Sequence, residues 1–420
     1  MVTDGVSEGL TATEVAARLG VKRQTVYAYV SRGLLARQVA SDGRTSMFDP
    51  ADVDRLRGGR RDEGEVNTLI ATGITRVDDR TLRIRGEDLI GRLHGGLGFE
   101  AAVELLWATP DGEAAAVADE GWPTTGIGTG VAGFGPLEAG GPEEAGLLDG
   151  LRITTALCSA ADPLRHELSP RSVRAVGRRL ITALANGLPP TTGTVSERPS
   201  PNDVATVVWS RLAAAPATTT AARAPEAGRR RIRAVEVALA LLVDHGLAGS
   251  TFAARIAASV RADPYAVVGA GLGALGGRLH GAAGAAVHDL LVDGERRGDT
   301  AAALGQARRR LGYLPGVGHS VYTEQDPRYG ALMATLVDAW GDDPRLVNVY
   351  RLRDLIGERT DAIPNIDLAL GSLTYLAGMP SGGGEAVFAI ARTAGWLAHA
   401  MEEYEEKPLR FRARAKYTGP

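Results

Sequence analysis

DHGLAGSTFAARIAASVRADPYAVVGAGLGALGGRLHG, residues Asp244 to Gly281, is sparsely charged, dense in alanine and glycine, and carries His245 and His280 near its two ends. Phe252, Ile256 and Val260 recur every four residues, which predicts a helix through its first half. Asp263 followed by Pro264 predicts the cap and first position of a second helix. Alanine and glycine at this density predict helices packed closely on other helices. Close packing does not account for a histidine at each end, so His245 and His280 become candidates for chemistry.

Working outward, the C-terminal third holds GVGHSVYTEQDPR at 316–328, PNID at 364–367, FAIARTAGWLAH at 388–399 and RARAKYTG at 412–419. Together with the opening stretch, these motifs resemble the citrate synthase family, where a DHELNASTFAAR-like run leads through DPY and GIGALxGPLHG to a catalytic histidine. The resemblance implies a mainly α fold with a large and a small helical domain and the active site between them. Mapped onto this chain, residues 66–280 and 379–420 form the large domain and 281–378 the small one.

Condensing a thioester with a keto acid requires a base for a weakly acidic C–H and donors for two carbonyl oxygens, each contributing roughly 10²–10⁴-fold. The resemblance implies Asp367 as the base, His280 as donor to the thioester oxygen and His319 as donor to the oxaloacetate ketone. Oxaloacetate is a dianion, and arginine pairs with carboxylates bidentately without losing its proton. The family's oxaloacetate ligands map onto His245, Arg328, Arg392 and Arg412, the last reaching across from the partner of a homodimer. The expected reaction joins acetyl-CoA to oxaloacetate and hydrolyses citryl-CoA. The alternative thioester is propionyl-CoA, giving 2-methylcitrate, because one methylene shifts discrimination by only about 1–3 kcal/mol. An alternative of another class is a DNA-binding regulator whose synthase-like body senses a metabolite. Acyl-CoA enters as substrate, and no cofactor or metal is expected. Ser320 and Thr323 stand where relatives often carry basic residues, which leaves the CoA phosphates without those partners. His94, His166, His288 and His399 are read as structural.

Length and composition fit this picture. A chain of 420 residues suggests two or three domains. A net charge of −3 and a pI near 6.2 argue against global nucleic-acid or membrane binding. The one cysteine, Cys158, excludes an internal disulfide framework. MVTDGVSEGL lacks a basic n-region and an apolar h-region, and no run reads as a membrane span, so a cytoplasmic location is expected.

Residues 1–61 read as a separate winged helix-turn-helix. Thr11 and Glu14 form a capping box ahead of Val15, Ala16 and Leu19. A second helix runs from Arg23 to Ser31 with Val26 and Val30 inward, stopping at Gly33. Ser41-Asp42-Gly43 turns between extended pieces, and Asp49-Pro50 starts a third helix carrying Val53 and Leu56. The order resembles mercury-resistance-type regulators and excisionases. Arg23, Gln24, Thr25 and Tyr27 would then face base edges, with Arg44 in the wing. Ten Lys/Arg against seven Asp/Glu over residues 1–61 is a weak basis for phosphate-dominated affinity.

Residues 62–65 read as linker, and ITRVDDRTLRIRG within 66–90 as a β-hairpin ending in Arg85-Gly86. Helices follow over 99–107, through Phe99, Val103 and Leu106, and near 170–187 and 203–214. Residues 121–150 are glycine-rich and weakly periodic and read as loop. Arg229, Arg230, Arg231 and Arg233 read as a solvated helix start rather than a phosphate site.

Overall fold

The capping box is formed as the sequence predicts: Glu14 Oε2 accepts from the backbone N–H of Thr11 at 2.8 Å, and Thr11 Oγ1 accepts from Glu14 N at 3.4 Å. It opens the first helix of a computed structural model that describes residues 9–19, 23–31, 35, 37–39, 45–50, 52–53, 70–108, 122–123, 146–189, 203–214, 225–277, 280–281, 283–319, 321–411 and 417. The chain divides into two compact units, residues 1–71 and 72–420.

In the first unit, β1 (Leu10–Thr11) leads into α1 (Ala12–Leu19) and α2 (Arg23–Ser31). β2 (Gln38–Val39) and β3 (Ser46–Phe48) follow, and the antiparallel sheet has the order β1-β3-β2. Val15, Val26, Tyr29, Leu35, Phe48 and Val53 form its core. The carbonyl of Asp49 accepts from the N–H groups of Asp52 and Val53 and so opens the third helical segment. Gly33, the Ser41–Gly43 turn, Leu56 and the linker lie outside the described residues. The pairing of β1 with β3 went unpredicted, because two residues are too short to show alternation.

The second unit opens with the expected hairpin extended by one strand: β4 (Thr75–Asp78), β5 (Thr81–Ile84) and β6 (Glu87–Asp88), antiparallel in that order. Arg85 and Gly86 make the turn between β5 and β6 with positive φ. Helices α3 (Leu89–His94) and α4 (Phe99–Trp107) follow, and Phe99, Val103 and Leu106 are buried as their spacing requires. One prediction needs correction: α5 spans Leu147–Ala161, so the stretch read as loop ends in helix. Its buried residues Leu148, Leu151, Thr155 and Cys158 keep helical spacing, which the preceding glycines masked. Next come α6 (Pro170–Asn186), α7 (Val204–Leu212) and α8 (Pro225–Leu242). The arginines opening α8 pair locally, Arg229 with Glu226 and Arg233 with Glu236.

The opening stretch of the sequence becomes α9 (Gly249–Ser259) and α10 (Pro264–Leu275), and the Asp263 carboxylate caps α10 through Tyr265 N and Ala266 N. Both pack on the C-terminal α16 (Gly383–Glu405), which is buried over most of its length. Their contact is close enough that a Cβ at Gly271 would stand 2.5 Å from the Trp396 ring. Between them in sequence lie α11 (Ala283–Arg297), α12 (Thr300–Leu311), α13 (Pro327–Trp340), α14 (Leu346–Gly357) and α15 (Ile366–Leu376). No helix among the described residues is long and apolar enough to cross a membrane.

Candidate active site

Two short segments bring His319 and Asp367 together. Gly318 N donates to Ile363 O and Asn365 N to Gly316 O, with an antiparallel bridge between Val317 and Pro364. Gly316 and Gly318 both adopt positive φ, and a Cβ on Gly316 would stand 2.9 Å from the Val287 side chain. Glycine is therefore required at 316 by conformation and by space, and at 318 by conformation. His319 follows one segment directly. Asp367 lies in the first turn of α15, which Asn365 caps by accepting from Asp367 N at 3.0 Å.

His319 Nδ1 accepts from Val321 N and Tyr322 N at 3.0 and 3.1 Å, so the proton sits on Nε2 and is available to an incoming oxygen. Burial, reinforced by Arg328, lowers its pKa, so the ring is a neutral donor at pH 7. His280 is also neutral: burial first, then the Arg392 charge, lowers it to about 4. Its Nε2 lies 2.8 Å from Ser250 Oγ and its ring stands edge-on to Phe388. His245 is held well below the usual imidazole range by burial, then by Arg328 and Arg392.

Burial pushes the Asp367 carboxyl up to about 6, with Arg328 pulling down and Asp326 pushing up. A carboxylate tuned toward neutrality and still ionised at pH 7 has the properties of a general base. Arg328 is buried and paired bidentately with Asp326 at 2.9 and 2.8 Å. The same Asp326 caps α13 through Arg328 N and accepts from Ile366 N, so one carboxylate ties Arg328 to the start of the Asp367 helix. Arg392 is also buried; its Nε donates to Leu242 O at 2.8 Å, and its guanidinium lies over Phe388. Burial, opposed by Asp244, lowers Arg392 only to about 10, so it stays charged.

The structure thus brings together His245, His280, His319, Asp367, Arg328 and Arg392, while Arg412 and Ser320 lie outside the described residues. Sequence reading missed Tyr322, Ser250 and Asp326. Tyr322 is buried against His245 and His319, and Asp326 stood in plain view within the DPR motif as a helix cap. His399, read as structural, lies buried between Asp244 and Arg255. His288 is buried against Thr374, and His94 and His166 are exposed. Among the described residues no cluster of three or more His, Cys, Asp or Glu is able to hold a metal ion.

In the N-terminal unit Arg23 and Tyr27 are exposed on α2 and hydrogen-bond to each other, and Tyr27 also bonds Ser46 on β3. The side chains of Gln24 and Thr25, and the whole of Arg44, lie outside the described residues.

A helix-turn-helix domain family matches residues 10–61. The chain is 37% identical over 188 residues to a citrate synthase of Haloferax volcanii, covering 44% of this chain and 49% of the relative. It is 32% identical over 191 residues to 2-methylcitrate synthase 1 of Corynebacterium glutamicum, covering 45% and 50%. The chain thus spans about half the length of the curated relatives it matches. Its fold superposes on citrate synthase from Thermotoga maritima with TM-score 0.65 at 25% identity, covering 85% of this chain and 96% of that one. The corresponding values are 0.66, 22%, 85% and 95% for the Thermoplasma acidophilum citrate synthase complex with carboxymethyl coenzyme A and oxaloacetate. The family described as citrate synthase, C-terminal domain, matches residues 66–414, so the chain belongs to the citrate synthase family.

Proposed function

We propose that this protein condenses acetyl-CoA with oxaloacetate and hydrolyses the resulting thioester to citrate and CoA. The observation that carries this reading is the placement of His319, with its proton on Nε2, and of the raised carboxyl of Asp367 on two segments joined by the Val317–Pro364 bridge. Asp367 takes the α-proton of the thioester while neutral His280 donates to its carbonyl oxygen. The enol carbon attacks the oxaloacetate ketone, a C–C bond forms, and His319 supplies a hydrogen bond and proton to the ketone oxygen. Water then cleaves the thioester and the thiol leaves. His245, Arg328, Arg392 and the partner's copy of Arg412 hold the oxaloacetate carboxylates. The reaction uses no metal or cofactor.

The assembly belongs to the same proposal. We read a large domain over 66–280 and 379–420, a small domain over 281–378, residues 62–65 as linker, and a cytoplasmic homodimer. Ile256 and Val260 are exposed on the side of α9 where Phe252 meets Phe411. Leu409 N bonds Ser259 O and Arg410 pairs with Glu403, which leads the C-terminal segment along that face. An apolar face of this kind suits a second copy of the chain, with Arg412 carried across. Light scattering on the full chain tests the dimer.

Thiol release with oxaloacetate present or omitted, from acetyl-CoA and separately from propionyl-CoA, tests the activity. Oxaloacetate-dependent release establishes the reaction, and the ratio of the two rates decides between citrate and 2-methylcitrate. Silence with both thioesters turns the reading toward a metabolite-sensing regulator. The helix-turn-helix match and exposed Arg23 and Tyr27 support sequence-selective DNA contact by residues 10–61. A gel shift on DNA upstream of its own gene tests that, and a shift indifferent to sequence at moderate salt removes it.

A further inference from the structure

The tip of the β4–β5 hairpin grips the loop that carries His319. Asp79 Oδ1 accepts from both the backbone N–H and the hydroxyl of Thr323, at 3.0 and 2.8 Å, across 244 positions of sequence. The next residue along each segment forms a second link, the ion pair of Arg80 with Glu324. Asp78 closes the hairpin turn itself by accepting from Thr81 N and Oγ1.

What this grip holds is the residue before it. Tyr322 is 1% exposed, its ring centroid lies 4.6 Å from that of His319, and its hydroxyl lies 3.0 Å from His245 Nε2. Its backbone N–H is one of the two that fix the His319 tautomer. Thr323 is thus the outer anchor of a segment that orients two site histidines at once. As a stabilising device the grip is weak, because exposed pairs of this kind contribute little to folding. As a geometric constraint it is strong, since misplacement on the order of 1 Å at a reacting group costs roughly 10²-fold in rate.

We infer that Asp79 and Arg80 are positioning residues: through Thr323 and Glu324 they set the orientation of Tyr322, His319 and His245 for oxaloacetate. This rests on the condensation reading above. The test uses full-length protein and measures kcat and both KM values by thiol release, alongside thermal melts, for wild type, Asp79→Ala, Asp79→Asn, Thr323→Val and the Asp79→Ala/Thr323→Val double variant. Asp79→Ala should lower kcat/KM for oxaloacetate by about 10-fold, Thr323→Val by less because its backbone N–H still reaches Asp79, and both should leave the acyl-CoA KM unchanged. The double variant should lose no more than Asp79→Ala alone, because that change already removes both bonds, of which Thr323→Val removes one. Asp79→Asn keeps an Oδ1 that accepts both bonds and should restore the wild-type constants. Melting temperatures should move by no more than about 2 °C. Wild-type constants in Asp79→Ala, additive losses in the double variant, or a lower melting point with unchanged kinetics would each overturn the inference. A wild type silent with both thioesters removes the condensation reading and this inference with it; an active wild type beside an unaffected Asp79→Ala removes the inference alone.

Discussion

Tyr322 places its hydroxyl 3.0 Å from Nε2 of His245. Burial raises the phenol to about 12, so the hydroxyl stays protonated at any working pH. Tyr322→Phe keeps the ring against His319 and removes only this bond. The oxaloacetate KM should rise about 10-fold, the energy of one hydrogen bond, with the thioester KM unchanged. A rise confined to the thioester KM would place Tyr322 at the other substrate.

Asp367 should impose an acid limb on activity. Its carboxyl is raised to about 6, so kcat/KM for the thioester should fall below that pH with the slope of a single proton. The sign for stability is opposite. The folded pKa lies above the unfolded value of 3.8, so its contribution is complete below 3.8 and is lost as pH rises through 6. Asp367→Asn should therefore melt above wild type at pH 8 while thiol release falls by at least ~10²-fold. A variant that melts below wild type at pH 8 contradicts the burial argument.

His280 works in the other direction. Burial, then Arg392, depress it from 6.5 to about 4, so the unfolded state binds its proton first. The stability it allows is complete above pH 6.5 and is lost as pH falls toward 4. His245 adds to the same trend. Denaturant unfolding at pH 7 and pH 5 should show His280→Gln losing less stability on acidification than wild type. Equal losses would mean His280 is solvated well enough to titrate normally.

The sequence carried the site further than it carried the packing. His319 and Asp367 were singled out by the resemblance of GVGHS and PNID to family motifs, and the glycines and proline of those motifs build the ladder between them. Helix α9 was legible as a helix, but Phe252, Ile256 and Val260 do not form its buried face: Ile256 and Val260 are exposed, while Ala254, Ala258 and Arg255 are inside. In α9 the small residues Ala254 and Ala258 allow close approach to neighbouring helices, and Ile256 and Val260 are left on the outer side. A four-residue period marks a stripe without saying what covers it. Tyr322 and Asp79 escaped notice for a different reason. Their importance comes from contacts across 77 and 244 residues, and local pattern holds no trace of those.

Gly395 offers a test of how Arg392, the proposed oxaloacetate ligand, is set. A Cβ there would stand 2.3 Å from Val243 O and 2.7 Å from Asp244 Oδ1. The neighbouring carbonyl of Leu242 anchors Arg392 Nε, and His245 follows Asp244 directly. Gly395→Ala cannot be absorbed by a flexible side chain, because the nearest atom is backbone. It should push the 242–245 segment away from α16, costing about 1–3 kcal/mol as overpacking does. Gly150 on α5 is the control, since a Cβ there meets nothing within 4 Å. Gly150→Ala should gain roughly 0.4–1 kcal/mol through the unfolded chain. Stability alone does not separate a general defect from displacement of the arginine, so oxaloacetate binding is measured by calorimetry well below both melting points. If the segment between Leu242 and His245 is the element that aims Arg392, Gly395→Ala binds oxaloacetate at least 10-fold more weakly while Gly150→Ala binds as wild type does. Wild-type affinity in a destabilised Gly395→Ala would mean that Arg392 finds its position without that carbonyl.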